Sequence, residues 1–249
     1  MTAPSAMSLS RIATQIVIDR DPSAAGPLSL RHIIAIGRNY AEHAREQGAA
    51  VPELPVIFTK NPAALSLSGD DIVIPRICQD REQVDFEAEL AFIIGPGPGG
   101  APAKDVPRER WRDHVLGFTG ANDVSARWWQ KEGSGGQFYR GKSFDTFCPI
   151  GPIVVPTSAI DPANARIRCR VNGETMQDAS TSQMLFPIDV LVAELSRGTT
   201  LVPGTVVITG TPSGVGMSRK PPVFLKDGDV VEVEIDGIGV LRNRVRAES

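Results

Sequence analysis

Polar and apolar residues alternate over 84–95, where Val84-Asp85-Phe86-Glu87-Ala88-Glu89-Leu90 leads into the apolar run Ala91-Phe92-Ile93-Ile94 and is closed by Gly95-Pro96. The period of two and the β-forming composition predict a strand. Glu87 and Glu89 then share one face, with Phe86, Ala88 and Leu90 on the other. The apolar end predicts burial, and burial makes two like charges repel more strongly. A divalent cation with oxygen ligands would relieve that repulsion. The alternative is an edge strand with Glu on its solvent face, and a Glu-x-Glu pair by itself favours that alternative.

The same pattern predicts strands over 14–19, 31–36, 56–60, 71–75, 115–121, 150–155 and 206–209. Two hairpins are expected, 166–177 around Asn172-Gly173 and 230–245 around Asp236-Gly237, because Asn-Gly supplies the positive φ angles of a type I′ turn. Helical composition marks 40–47, with Gly48 as its stop, and 107–114, with Pro107 at its first position. Further helices are expected over 125–131, capped by Ser125, and over 187–196, with Pro187 at its start and Gly198 beyond its end. Residues 21–27 and 95–103 are turn-rich, and 133–136 is flexible by composition. Strands outnumber helices and do not alternate regularly with them. That disfavours doubly wound and TIM-barrel folds.

The chain has 249 residues, with 26 Lys plus Arg against 29 Asp plus Glu, a formal net charge of −3. This balance argues against nucleic acid or an anionic membrane as the main partner. The 24 glycines and 20 prolines fit many short strands and tight turns. Cys78, Cys148 and Cys169 form no Cys-x-x-Cys motif and fit reduced thiols in a cytoplasmic protein. The first residues lack the basic and apolar regions of a signal peptide. No apolar run approaches the ~18 residues of a membrane span.

Gly136-Gln137-Phe138-Tyr139-Arg140-Gly141-Lys142-Ser143 satisfies the P-loop expression G-x-x-x-x-G-K-S/T. A P-loop needs an apolar strand before it and a helix after it. Trp128-Trp129-Gln130-Lys131-Glu132-Gly133 precedes this segment and Phe144-Asp145-Thr146-Phe147-Cys148-Pro149 follows it, so a nucleotide site is disfavoured. Lys142 is retained as a candidate cation.

Six segments occur in one order: Gly37-Arg38-Asn39-Tyr40-Ala41-Glu42-His43, Glu87-Ala88-Glu89-Leu90, Asn122-Asp123-Val124-Ser125-Ala126-Arg127, Gly141-Lys142-Ser143-Phe144-Asp145, Val171-Asn172-Gly173-Glu174, and Thr209-Gly210-Thr211-Pro212-Ser213-Gly214-Val215-Gly216. Together they resemble the fumarylacetoacetate hydrolase family, over roughly residues 31–245. The resemblance implies an α+β, strand-rich fold: a mixed β-roll of that family's C-terminal-domain type, with short peripheral helices. It implies a short N-terminal extension over 1–30 and a single catalytic domain over 31–249, without the separate N-terminal domain of larger members.

The resemblance further implies a Mg²⁺ site, with Mn²⁺ or Ca²⁺ as alternatives, made by Glu87, Glu89 and Asp123. For Asp123 the alternative is a helix cap or turn residue. It implies a catalytic dyad of His43 and Glu46, which are neighbours on one helix face at i and i+3, on a helix that acts as a lid. Lys142 would offset developing negative charge. Arg38, Tyr40, Arg127, Gln130 and Thr211 are the candidate substrate contacts, since arginine can bind a carboxylate through two bonds. Trp128 stands where relatives often carry Asp, so the role of that Asp is lost and a more apolar pocket is expected.

The activity implied is hydrolysis of the C–C bond of a small acylpyruvate-type 2-oxo acid through a metal-stabilised enolate, in aromatic catabolism, by a cytoplasmic homodimer. The same site would serve a 2-hydroxyhepta-2,4-diene-1,7-dioate isomerase or an oxaloacetate decarboxylase. A non-catalytic metabolite-binding β-roll is the alternative from another class.

Overall fold

The computed structural model describes residues 5–19 and 26–249. The turn-rich link expected over 21–27 lies, over 21–25, outside the described residues. A ten-stranded mixed sheet runs in the order Leu28–Ser29, Gln15–Asp19, Met7–Ile12, Cys148–Val155, Val115–Asn122, Ala88–Ile94, Thr205–Ile208, His32–Gly37, Val56–Lys60, and Leu65–Leu67 also pairs with Cys148–Val155. A five-stranded sheet runs in the order Glu174–Ser180, Arg166–Val171, Val230–Ile235, Gly239–Ala247, Asp71–Ile74.

The Ala88–Ile94 strand is buried at every residue because both of its faces meet apolar layers. Leu90, Phe92 and Ile94 join Phe118, Ile167, Val233 and Leu241 in the core between the two sheets. Ala91 and Ile93 join Ile33, Ile150, Val206 and Ile208 on the opposite side, where strands far apart in the sheet order meet as the sheet curls. This continuous burial is why the strand reads as an apolar run rather than as an alternation.

The strand expected over 84–95 is broken at Phe86-Glu87. Val84–Asp85 pairs with Ser125–Ala126 as a separate two-stranded ladder, and the long strand resumes at Ala88. Side chains supply the bonds that a ladder would have made: Asp85 accepts from the Phe86 amide (2.8 Å), and Asn122 Oδ1 accepts from the Glu87 amide (3.0 Å).

The turn at Asn172-Gly173 has positive φ at both residues (52° and 84°), as a type I′ turn requires. The second hairpin differs. Ile235 pairs with Gly239, leaving a three-residue loop in which only Gly237 has positive φ (82°). Arg108–Asp113 is a 3₁₀ helix with Pro107 as its N-cap, not an α-helix begun by that proline. The short helix after Asp123 runs over Arg127–Gln130 with Ala126 as its N-cap, because the Ser125 hydroxyl bonds to Asp123 O and Lys142 instead. Met7–Ile12 is an unpredicted strand, and it pairs the N-terminal hairpin onto Cys148–Val155. Its half-exposed pattern carries little periodicity. Among the described residues, no helix is long and apolar enough to cross a membrane.

The Val115–Asn122 strand delivers Asp123 to the site, and its pairing depends on Gly117. A β-carbon there would lie 2.2 Å from the Val155 carbonyl oxygen and 2.9 Å from Val154 Cγ1. Gly117→Ala is expected to destabilise the protein by about 1–3 kcal/mol, read as a lower urea midpoint with an unchanged slope.

Candidate metal centre and its pocket

Three carboxylates converge where two adjacent strands, paired in register, end: Glu89 lies within one, and Glu87 and Asp123 flank the end of the pair. Ala121 pairs with Glu89 and Asn122 with Ala88. One residue further, the Asp123 amide donates to the Glu87 carbonyl (2.9 Å). Oxygen atoms of Glu87, Glu89 and Asp123 lie within 4.8 Å of one another, and all three residues are buried. Asp123 caps no helix. Its carboxylate bonds to Lys60 and Lys142.

Buried cations surround the cluster. Lys142 donates to Glu87 Oε2 (2.9 Å), Asp123 Oδ2 and Ser125 Oγ (2.8 Å), which engages all three of its N–H groups. Lys60 bonds to Asp123 and to the Phe147 carbonyl (2.7 Å). Arg127 bonds to Asp85 (2.8 Å), Glu87 (2.7 Å) and Gln130 (3.0 Å). Four buried carboxylates, counting Asp85, thus face three buried cations. Glu89 is the carboxylate left without a cationic partner among the described residues, and its recorded hydrogen bond comes from the Gly210 amide (2.7 Å).

The electrostatics follow this asymmetry. Burial opposes ionisation of Glu87, but Lys142 and Arg127 outweigh it and hold the carboxyl well below the usual range. Burial, then the charges of Asp123 and Glu87, push the Glu89 carboxyl well above it. Hard oxygen donors lacking one positive charge fit a hard divalent ion.

His43 lies on the Ala41–Glu46 helix, buried, with Nδ1 2.7 Å from Glu46 Oε1. Glu46 Oε2 accepts from the Gly214 amide (2.9 Å), which ties the helix to the Gly-rich loop. With Nδ1–H donating to Glu46, His43 Nε2 is an acceptor, and the Gln47 amide nitrogen sits 3.1 Å from it. A small cavity of about 20 Å³ joins these parts: Arg38, His43, Gln47, Glu87, Glu89, Gln130, Lys142 and Thr211 all line it.

Not every candidate stands on that wall. Arg127 is engaged by Asp85 and Glu87 and does not line the cavity. The Tyr40 side chain is fully buried behind it, with a hydroxyl that meets no partner. Burial and then the charge of Glu89 push that phenol above its usual range. Thr211 lines the cavity, but its hydroxyl donates to the Ala88 carbonyl (2.8 Å) and accepts from Gln177 (2.8 Å). Trp128 does not line the cavity either. It stacks under the Arg81 guanidinium (4.5 Å), so it does not make the pocket more apolar. The P-loop lookalike holds a helix, Phe138–Lys142, inside the motif, and its lysine is committed to the carboxylates.

Lys60 and Asp85 escaped the sequence reading. Lys60 ends an apolar strand and looks like its solvent terminus. Asp85 stands two residues before Glu87, so the alternation Asp85-x-Glu87-x-Glu89 was a readable signal for it.

The family model described as Fumarylacetoacetate (FAA) hydrolase C-terminal matches residues 32–246. A mitochondrial oxaloacetate tautomerase of Xenopus laevis is 50% identical over 214 residues, covering 86% of this chain and 65% of that relative's length. This chain thus spans just under two thirds of that relative. An uncharacterised protein of Methanocaldococcus jannaschii is 45% identical over 216 residues, covering 87% of this chain and 83% of that protein. Among solved structures, a fumarylpyruvate hydrolase from Pseudomonas aeruginosa in complex with Mn²⁺ and pyruvate superposes with a TM-score of 0.78 at 30% identity, covering 100% of this chain and 99% of that one.

Glu89 has a folded pKa above its unfolded value. Its contribution to stability is therefore present below the unfolded carboxylate range and lost as pH rises through the folded value. Glu89→Gln is expected to raise the neutral-pH Tm of EDTA-treated protein, at roughly 2–4 °C per kcal/mol relieved, and to abolish the Tm increase expected of the parent chain with Mg²⁺ or Mn²⁺. A lower Tm in EDTA would contradict the charge imbalance.

Proposed function

The chain belongs to the fumarylacetoacetate hydrolase family, and from that premise we propose that it is a divalent-metal-dependent enzyme interconverting the keto and enol forms of a small 2-oxo acid. Oxaloacetate is the substrate named for relatives 45–50% identical to it. The observation that carries this reading is that Glu87 and Glu89 of the buried carboxylate cluster and His43, paired with Glu46, line one cavity.

Glu87, Glu89 and Asp123 would hold the ion, which supplies Lewis acidity favouring the ionised form of the substrate. Glu46 keeps a proton on His43 Nδ1 and so leaves the Nε2 lone pair facing the cavity. Nε2 takes the proton from the carbon beside the 2-oxo group, the C–H electron pair moves toward the 2-oxygen, and return of the proton to that oxygen completes the isomerisation. Gln47 must yield its place at Nε2 as the substrate arrives. Lys142, anchored on Glu87 and Asp123, offsets the negative charge that builds on the cavity side.

Hydrolysis of an acylpyruvate C–C bond is the second reading. The same Nε2 could take a proton from water instead of from carbon, and the fumarylpyruvate hydrolase is similar over the full chain.

Two assays run in parallel separate the readings: enol-to-keto conversion of oxaloacetate, and pyruvate release from acetylpyruvate, each with Mg²⁺ and then with EDTA. We expect EDTA-sensitive conversion of oxaloacetate, and a His43→Ala loss in kcat of about 10²–10⁴-fold. EDTA-sensitive pyruvate from acetylpyruvate without tautomerase activity would select the hydrolase. Activity indifferent to both EDTA and His43→Ala would overturn the site.

A further inference from the structure

The two oxygens of each clustered carboxylate meet different partners. In all three, one oxygen is held by a donor that does not line the cavity. Asp123 Oδ1 accepts from Lys60, Glu87 Oε1 from Arg127 Nη1 (2.7 Å), and Glu89 Oε2 from the Gly210 amide (2.7 Å). Asp123 Oδ2, Glu87 Oε2 and Glu89 Oε1 remain. Lys142, which does line the cavity, reaches the first two. The third meets no hydrogen-bond partner among the described residues.

Each of the three donors is fixed by its other contacts. Lys60 is fully buried and spends its remaining N–H groups on the carbonyls of Phe147 (2.7 Å) and Val124 (3.3 Å). Arg127 is locked by Asp85 (2.8 Å). Gly210 has a φ of 94°, and a β-carbon there would lie 2.7 Å from Asn39 Cβ, so the amide sits where only a backbone without a side chain fits. An oxygen already bonded to a buried ammonium or guanidinium is a poor ligand for a second cation, because the two positive charges would meet at one atom in a medium that screens them weakly. The cluster therefore offers an ion one oxygen from each carboxylate. Ca²⁺ takes a large oxygen shell and often grips a carboxylate by both oxygens, whereas Mg²⁺ and Mn²⁺ suit a smaller octahedral shell of single oxygens completed by water.

We propose that these fixed donors make the centre select a small octahedral ion, Mg²⁺ or Mn²⁺, against Ca²⁺, and that Lys60 is the positioning residue that enforces the choice at Asp123. The inference rests on the reading above that the three carboxylates hold a divalent ion. Among the described carboxylates Lys60 pairs with Asp123 alone, so its replacement changes what one ligand can offer and leaves the other two as they are.

Calorimetric titration of EDTA-stripped protein with Mn²⁺ and with Ca²⁺, in the absence of substrate, tests this. The parent chain is expected to bind Mn²⁺ roughly 10- to 100-fold more tightly than Ca²⁺. Lys60→Met frees the second oxygen of Asp123 and should narrow that ratio by about tenfold. The two ions carry the same charge, so the ratio reports the ligand oxygens and not the lost charge of the lysine. Circular dichroism reports whether the variant is folded, and Lys60→Gln takes its place if it is not. An unchanged ratio in the folded variant overturns the role of Lys60. Ca²⁺ bound as tightly as Mn²⁺ by the parent chain overturns the selectivity while leaving the metal centre standing, whatever the variants do. Binding of neither ion removes the metal centre and the proposal with it.

Discussion

Mutual repulsion among buried carboxylates is the constraint around which this protein is organised. Glu87, Glu89 and Asp123 lie within 4.8 Å of one another in the interior, where removing charge from water is costly. The chain answers with Lys60, Lys142 and Arg127, each buried and each bonded to at least one of the acids around the site. The compensation stops one charge short, at Glu89. A fully neutralised cluster would be a structural salt-bridge network; this one is left short of a positive charge at Glu89.

The two sheets exist in service of that cluster. Register between Ala88–Ile94 and Val115–Asn122 fixes which residues emerge at the end of the pair, and burial on both faces leaves the register no freedom to slip. Around the strand ends, polar side chains do the work of backbone. Asn122 holds Glu87, Gln177 receives the Ala88 amide and reaches Thr211 and Pro212, and Asn39 clamps two loops together. Asp85 accepts from three backbone amides besides pairing with Arg127. Each buried polar group so engaged keeps the chain in one conformation, because its alternatives leave a donor or acceptor unpaired.

The His43 helix joins this frame through a single carboxylate. Glu46 orients the imidazole with one oxygen and holds the Gly214 amide with the other. The His43 imidazole and the Gly-rich loop are therefore positioned by the same side chain.

Local pattern was enough for most strands, for the Asn172-Gly173 turn and for the acidic pair, because side-chain periodicity and turn chemistry are properties of neighbouring residues. The three acidic residues and the His43–Glu46 spacing were readable for the same reason, once six short motifs stood in one order. What local pattern could not carry was the partnership of distant charges. Lys60 is 63 residues from Asp123, and nothing around it signals that it is buried. Arg127 reads as a free arginine until Asp85, 42 residues away, is brought to it. Tyr40 and Thr211 look available until packing turns one into the core and gives the other's hydroxyl to Ala88. Sequence settles what each residue is able to do; which of those abilities is still free depends on contacts made across the fold, and those exist only once the chain has closed.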